Sequence, residues 1–216
     1  SQKLPMVSAV CAALTAQGAL SQTPTSETSS LEEVVIVSKA TTYANNKITD
    51  SMKLQNSSIT SINNFIDNLP GVSVHEGDAF GFDDWSTAIT VRGFQTNLAE
   101  QQVGSTIDGL PNGNSNYGGG AKANRYIDAA NLETIEVSQG TADISSRSLE
   151  SLGGTLNYVT ADPTLDQRVR LEYVTGQYEA QRLYARYDSG LIGPSTRLYI
   201  SASHQEATDW MEGSAQ

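Results

Sequence analysis

The densest chemistry-bearing stretch of this chain is His75-Glu76-Gly77-Asp78, followed by Asp83-Asp84-Trp85. A histidine and several carboxylates are plausible cation ligands, and the same residues in a Gly/Phe-rich loop are also what a solvated surface looks like. Paired carboxylates from that loop are where hydrolytic acid-base chemistry would have to sit, although an exposed run of glycines and acids is a poor place to raise a carboxyl pKa. Other catalytic arrangements are missing. His75 and His204 are the only histidines, and neither a G-x-S-x-G nor an H-E-x-x-H pattern occurs. The glycine-rich segment 112–122 lacks the Gly-Lys-Ser/Thr ending of a phosphate loop. No catalytic residue, metal or cofactor is therefore assigned. The single cysteine, Cys11, leaves no disulfide framework and no cysteine zinc site.

The charge balance removes another class. Of 216 residues, 24 are Asp or Glu against 13 Lys or Arg, a net charge of −11, and no basic cluster stands out. Nucleic-acid binding relies on cations that displace condensed counterions, so no nucleic-acid partner is expected. The length allows one or two domains. With 38% hydrophobic and 17% charged residues and 18 glycines, the composition suits β-structure joined by turns.

Several elements must position whatever chemistry there is. Lys3, an apolar stretch over residues 4–14 and the small residues Ala16, Gly18 and Ala19 have the order of the end of a secretory signal, predicted over residues 1–19. Residues 22–30 (QTPTSETSS) are too polar to offset ordering entropy and read as part of a flexible linker over residues 20–45. Inside it, residues 31–38 (LEEVVIVS) place four β-branched residues in a row, a strong extended-strand signal. Ile62, Phe65, Ile66 and Leu69 share one helical face, capped by Thr60 or Ser61 and ended by Pro70-Gly71. The period then changes to two. Short strands are predicted at Val72 and Val74, at Ile89 and Val91, over 103–107, at Ile135 and Val137, and over 156–159, with turns at Asp108-Gly109 and Pro111-Asn112-Gly113. Beyond Pro163 come three longer alternating strands, 169–174, 182–187 and 197–202, rich in tyrosine. That pattern fits a transmembrane β-barrel and equally a soluble antiparallel sheet.

In order along the chain, LEEVVIVS (31–38), FIDNLPGVSV (65–74), ITVRGF (89–94), STIDGLP (105–111), LETIEVSQGTAD (132–143) and LGGTLNYVT (152–160) resemble the N-terminal half of TonB-dependent outer-membrane receptors. The resemblance covers about residues 31–163. It implies an α+β plug domain over 46–163, lodged in a barrel of about 22 antiparallel strands whose first members are residues 164–216. Three strands cannot close a barrel, so the sequence is expected to be a fragment cut at both ends.

The resemblance also implies roles. Glu32, Glu33, Val34, Val35, Ile36 and Val37 form the TonB box, which adds as a strand to the energy-transducing partner TonB. Arg92, read here as buried in a strand, pairs with carboxylates of the barrel or with Glu133 and Glu136. Many relatives have a basic residue before the glycine matching Gly140; Gln139 stands here, and Arg147 is the candidate to supply that charge. The loops 77–86, 95–102 and 112–120 are expected to face a small-molecule or oligomeric ligand, with Phe80, Phe82, Trp85, Asn114 and Tyr117 as contacts. Outer-membrane lipid surrounds the barrel in this reading, and the plug and TonB box face the periplasm. Uptake of an iron-siderophore, cobalamin, oligosaccharide or peptide is the expected activity, with no enzyme chemistry. Two other readings compete: an acidic β-rich binding module without transport, which would not need a tethered LEEVVIVS segment, and a carboxylate-using secreted hydrolase.

Overall fold

The computed structural model describes residues 44, 46–57, 59–78, 80, 81, 83, 86–97, 99–112, 123–148 and 150–208. The chain divides into two units, 1–39 and 40–216, and everything described below belongs to the second. The signal-like segment, the LEEVVIVS box, Phe82, Trp85, Asn114 and Tyr117 lie outside the described residues.

Three sheets make up the structure. A mixed five-stranded sheet has the order β1-β7-β8-β5-β6, from β1 (Asn46–Lys47), β5 (Gly104–Ile107), β6 (Leu110–Pro111), β7 (Leu132–Gln139) and β8 (Gly154–Thr160). Only the β5–β8 pair is parallel; the other ladders are antiparallel. A small antiparallel sheet joins β2 (Val72–His75), β3 (Ala88–Val91) and β4 (Phe94–Thr96). The third, also antiparallel, is a meander of β9 (Gln167–Thr175), β10 (Gln181–Ser189) and β11 (Tyr199–Glu206).

One core unites the first two sheets. Ile135, Val137 and Leu156 of the mixed sheet pack with Val72, Ile89 and Val91 of the small sheet, and Ile62, Phe65, Ile66 and Leu69 close the cluster. The predicted helical face is therefore buried. Its backbone differs from the expectation: residues Ile62–Ile66 form a 3-10 turn and the rest are turns up to Gly71. Asn63, Asn64, Asp67 and Asn68 are weak helix formers, and Asp67 uses its carboxylate to accept from the Val74 amide at 2.7 Å, which bends the chain back toward β2. A short helix absent from the sequence reading, α1 (Asp50–Leu54), starts at the N-cap Thr49. The Lys53 ammonium anchors it by donating to the Leu132 and Glu133 carbonyls at 3.2 and 2.6 Å.

Arg92 corrects a second expectation. It is exposed, in the two-residue connection between β3 and β4 rather than buried within a strand. Arg92 and Gly93 have φ of 50° and 90°, and a two-residue hairpin with positive φ at both positions matches the twist of its strands. Asp108-Gly109 makes the same kind of turn between β5 and β6, as predicted, with φ of 49° and 77°. The third long strand begins two residues later than expected. Leu198 lies just before the strand, where its amide donates to the Ser189 hydroxyl, and the Arg197 guanidinium reaches the Pro163 carbonyl at 2.7 Å.

Candidate functional site

The β9–β11 meander has two unlike faces. On one, the registered rows Val169/Tyr187/Ile200, Leu171/Ala185/Ala202 and Tyr173/Leu183/His204 alternate with the residues of the other face. This face is apolar and open: Val169, Leu171, Tyr173 and Ile200 are each more than 60% exposed. The other face carries Arg170, Glu172, Arg182, Tyr184, Arg186, Asp188, Tyr199 and Ser201. Here Arg182, Tyr184, Arg186 and Asp188 are buried to 6% exposure or less. The usual placement of apolar side chains inside and charges outside is reversed.

Buried charges need partners, and the turn before β7 and the connector after β8 supply many of them. Asp128 caps the short turn Ala129–Asn131 that leads into β7, accepting from the Ala130 amide at 2.8 Å. The same carboxylate oxygen receives Arg182 at 2.5 Å, while Glu172 lies 3.7 Å from that guanidinium. Asn131 is bonded through its whole amide. Its oxygen accepts from the Tyr184 hydroxyl at 2.6 Å and from Arg186 at 3.2 Å, and its nitrogen donates to Ser201 at 2.9 Å. Arg186 pairs in a fork with Asp188 at 2.8 to 3.1 Å and donates to the Asp162 carbonyl at 3.1 Å. Its guanidinium also stacks 3.9 Å over the Tyr199 ring, and Arg170 and Arg182 flank Tyr184 at 5.8 and 5.4 Å. Arg170 forms an ion pair with Glu172. A domain thus docks chiefly through paired charges and hydrogen bonds on a sheet whose back is apolar.

The same contact residues border a cavity of about 550 Å³, lined among others by Ile59, Phe80, Asn124, Asp128, Arg182 and Ser203. Phe80 is half-buried and packs with Ile59, Val174, Ala180 and Ala207, so the structure seats this predicted contact residue against the meander. The acidic loop is internally bonded. Asp78 accepts from the Phe80 and Asp83 amides at 2.7 and 2.6 Å, and Asp83 accepts from the Ser86 hydroxyl at 2.5 Å. Glu76 accepts from the side-chain amides of Asn63 and Asn64 at 3.2 and 2.7 Å. Among the described residues no three His, Cys, Asp or Glu side chains gather as a metal site.

The other predicted residues fall elsewhere. Arg92 lies over Gly71 and Gly140, beside Gln139, where a Cβ on Gly140 would come within 3.3 Å of its guanidinium. Glu136 faces Lys47 at 2.8 Å and accepts from Asn157 at 3.0 Å, within the mixed sheet. Glu133 stands at the β-bulge of β7, and Arg147 is exposed in the loop after it. The docking residues Asp128, Asn131, Arg182 and Arg186 were missed by sequence reasoning. Alternation marks Arg182, Tyr184 and Arg186 as one face, but nothing local links them to an acid 54 residues away.

A small mixed-sheet domain docked through charges onto a meander with an apolar outer face defines the class of plugged barrel proteins. A family model described as TonB-dependent Receptor Plug Domain matches residues 38–155, more than half of the sequence, and the chain belongs to this family. No curated protein matches it. Among solved structures, the chain is similar to the pyoverdine outer membrane receptor FpvA from Pseudomonas aeruginosa PAO1 bound to pyoverdine. Identity is 21% over 73% of this chain and 21% of that one, with a TM-score of 0.54. It is also similar to the ferric yersiniabactin uptake receptor FyuA from Yersinia pestis (19% identity, 76% of this chain, 24% of that one, TM-score 0.50). A third likeness is to the open form of the ferric-catecholate import receptor Fiu from E. coli K12 (19%, 76% and 21%, TM-score 0.54). At such identities the likeness is one of fold, and the chain spans a fifth to a quarter of these structures.

Proposed function

We propose that this chain is the plug and first wall strands of an energy-coupled outer-membrane receptor, and that the receptor imports a ferric siderophore. The observation that carries the reading is the reversed polarity of the β9–β11 meander: apolar rows outside, and buried arginines inside holding a domain of the plug family. Apolar-out, polar-in alternation is what lipid outside and a filled lumen inside demand of a barrel strand. The siderophore class is favoured because solved relatives are named for pyoverdine, ferric yersiniabactin and ferric catecholates. The outer membrane has no ATP, so the energy must come through TonB, for which Glu32, Glu33, Val34, Val35, Ile36 and Val37 are the proposed strand-adding box. Phe80, Phe82, Trp85, Asn114 and Tyr117 remain the proposed ligand contacts. Arg92, which stays solvent-accessible beside Gln139, is the proposed partner for a carboxylate of the wall, with Arg147, Glu133 and Glu136 as further members of that pairing.

Proline at Val35 removes a main-chain donor and fixes φ. In cells expressing the receptor, Val35→Pro is expected to abolish energised uptake of iron-55 ferric siderophore while leaving surface binding intact. Unchanged uptake would place the coupling segment elsewhere. For the ligand contacts, Trp85→Ala and Tyr117→Ala are each expected to weaken binding by about 1–3 kcal/mol, the scale of a buried contact residue. A fall in thermal stability with affinity unchanged would make these packing residues instead.

A further inference from the structure

The cavity beside the docking contact owes its room to small side chains. Ser201 and Ser203 of β11 are the register partners of Arg186 and Tyr184 of β10, so the inner face is bulky along β10 and thin along β11. The gap of about 550 Å³ reaches the thin side, and its size is within the range of about 300–1,000 Å³ usual for small-molecule sites. Its lining is polar and holds an unmet bond. Asn124 donates through Nδ2 to the Gly81 carbonyl at 2.5 Å, which fixes the amide and leaves its buried Oδ1 without a donor. A buried acceptor in that state favours an incoming O–H or N–H. The Ser201 and Ser203 hydroxyls and Tyr126, which is 65% exposed, line the same space. The charges nearby are mostly negative. Arg182, 2% exposed, is met by Asp128 at 2.5 Å and Glu172 at 3.7 Å, and Arg125 is exposed in the lining. Against these two arginines stand Asp128, Glu172 and three acids around the segment that carries Phe80 and Gly81. Those are Glu76, held by Asn63 and Asn64 just after Ser61 of the lining, and Asp78 and Asp83, bonded within the loop.

We propose that this seam cavity is a subsite for the amide- or hydroxyl-bearing part of the chelate, and that the receptor takes ferric chelates without net negative charge, of the hydroxamate kind, and discriminates against trianionic tris-catecholates. This rests on the import reading above and narrows its ligand class. A trianionic chelate entering the seam would give up water beside carboxylates, and like charges brought together at a desolvated contact oppose binding. A neutral or cationic chelate meets a complementary potential instead. The amide N–H groups along a hydroxamate chain are the donors that the Asn124 oxygen lacks, and Tyr126 offers a ring for the methylene segments between them.

The test uses the full-length receptor in outer membranes of cells with no other ferric-chelate receptor, and two iron-55 probes. One is ferrioxamine B, a tris-hydroxamate with a free ammonium; the other is ferric enterobactin, a trianionic tris-catecholate. At low salt ferrioxamine B is expected to bind about tenfold tighter or more, and added salt to narrow the gap by screening the repulsion. Asn124→Ala is expected to weaken ferrioxamine B binding by about 2- to 10-fold, the worth of one hydrogen bond. Ser203→Trp, which fills the thin side of the seam, is expected to weaken it further, in protein whose gel migration on heating shows an intact barrel. Equal or tighter binding of ferric enterobactin overturns the ligand class. Ferrioxamine B binding that neither variant moves overturns the subsite, because the cavity then holds water only. If neither probe binds, the inference falls as well. Failure of the import reading shows separately, as ferric pyoverdine uptake that Val35→Pro leaves unchanged.

Discussion

The carboxylate of Glu76 lies beneath the amides of Asn63 and Asn64 at the point where β2 gives way to the acidic loop. Burial pushes this carboxyl above its ordinary range and the nearby Asp78 charge adds to that, against hydrogen bonds from Ser61, Asn63 and Asn64 that favour the anion. A group with a raised folded pKa holds its proton more tightly folded than unfolded. Its contribution is greatest below the unfolded value near 4.5 and declines as pH rises through the folded value. We expect thermal unfolding of the wild type to lose ground to Glu76→Gln as pH rises above about 4.5, with the two curves parallel at lower pH. A constant offset at every pH would show that the charge is not the cause. The sequence flags this acid only as one of a cluster. It cannot show that Asn63 and Asn64 donate to it, because they belong to a different element 13 and 12 residues earlier.

Elements were legible where one physical rule dominates. Period-two alternation located β7, β8, β9 and β10, because a strand buried on one face must repeat every second residue. The turn at Asp108-Gly109 followed from glycine chemistry. Rules in competition were harder. In ITVRGF the alternation runs straight through Arg92, and only the left-handed backbone at Arg92 and Gly93 reveals two strands. Helix α1 has no buried residue, so no apolar stripe announces it. The 3-10 turn kept its apolar face but spent Asn63 on a polar duty: Asn63, with no exposed surface, accepts from the Tyr158 hydroxyl at 3.1 Å in the middle of β8. Burial pushes that phenol strongly up, and the Glu76 charge adds to the shift, so it remains a donor. Tyr158→Phe leaves the Asn63 oxygen buried without this donor and is expected to cost about 1–3 kcal/mol in chemical denaturation. A loss well under that range would mean another group moves in to satisfy the asparagine.

At the scale of the whole molecule, the two faces of the meander make opposite demands on substitution. Leu171 lies in the middle row of the outer face. A Leu171→Arg change there is expected to cost about 2–4 kcal/mol of barrel stability if lipid covers that row. Heat-modifiable gel migration of membrane fractions measures it, and wild-type stability would remove lipid from the assignment. Alternation makes this face readable in the sequence but fits a barrel strand and a soluble sheet equally; the buried arginines that hold a second domain favour the barrel, and alternation carries no trace of them. The order of assembly follows from the same architecture. Each meander strand pairs with its immediate neighbour in sequence, whereas the mixed sheet closes only when Thr106 meets Asn157, 51 residues on, and Ile48 meets Thr134, 86 residues on. Local contacts form sooner than distant ones, so the meander should exist before the domain it holds. During that interval Arg170, Arg182 and Arg186 would face an unfilled interior, and Glu172 and Asp188 on the same sheet serve as internal counterions until Asp128 and Asn131 arrive. Pulsed hydrogen exchange during refolding should therefore protect the β9–β10 ladder ahead of the β5–β8 ladder and the Ile48 amide; the reverse order would show that the mixed sheet nucleates and the wall condenses around it.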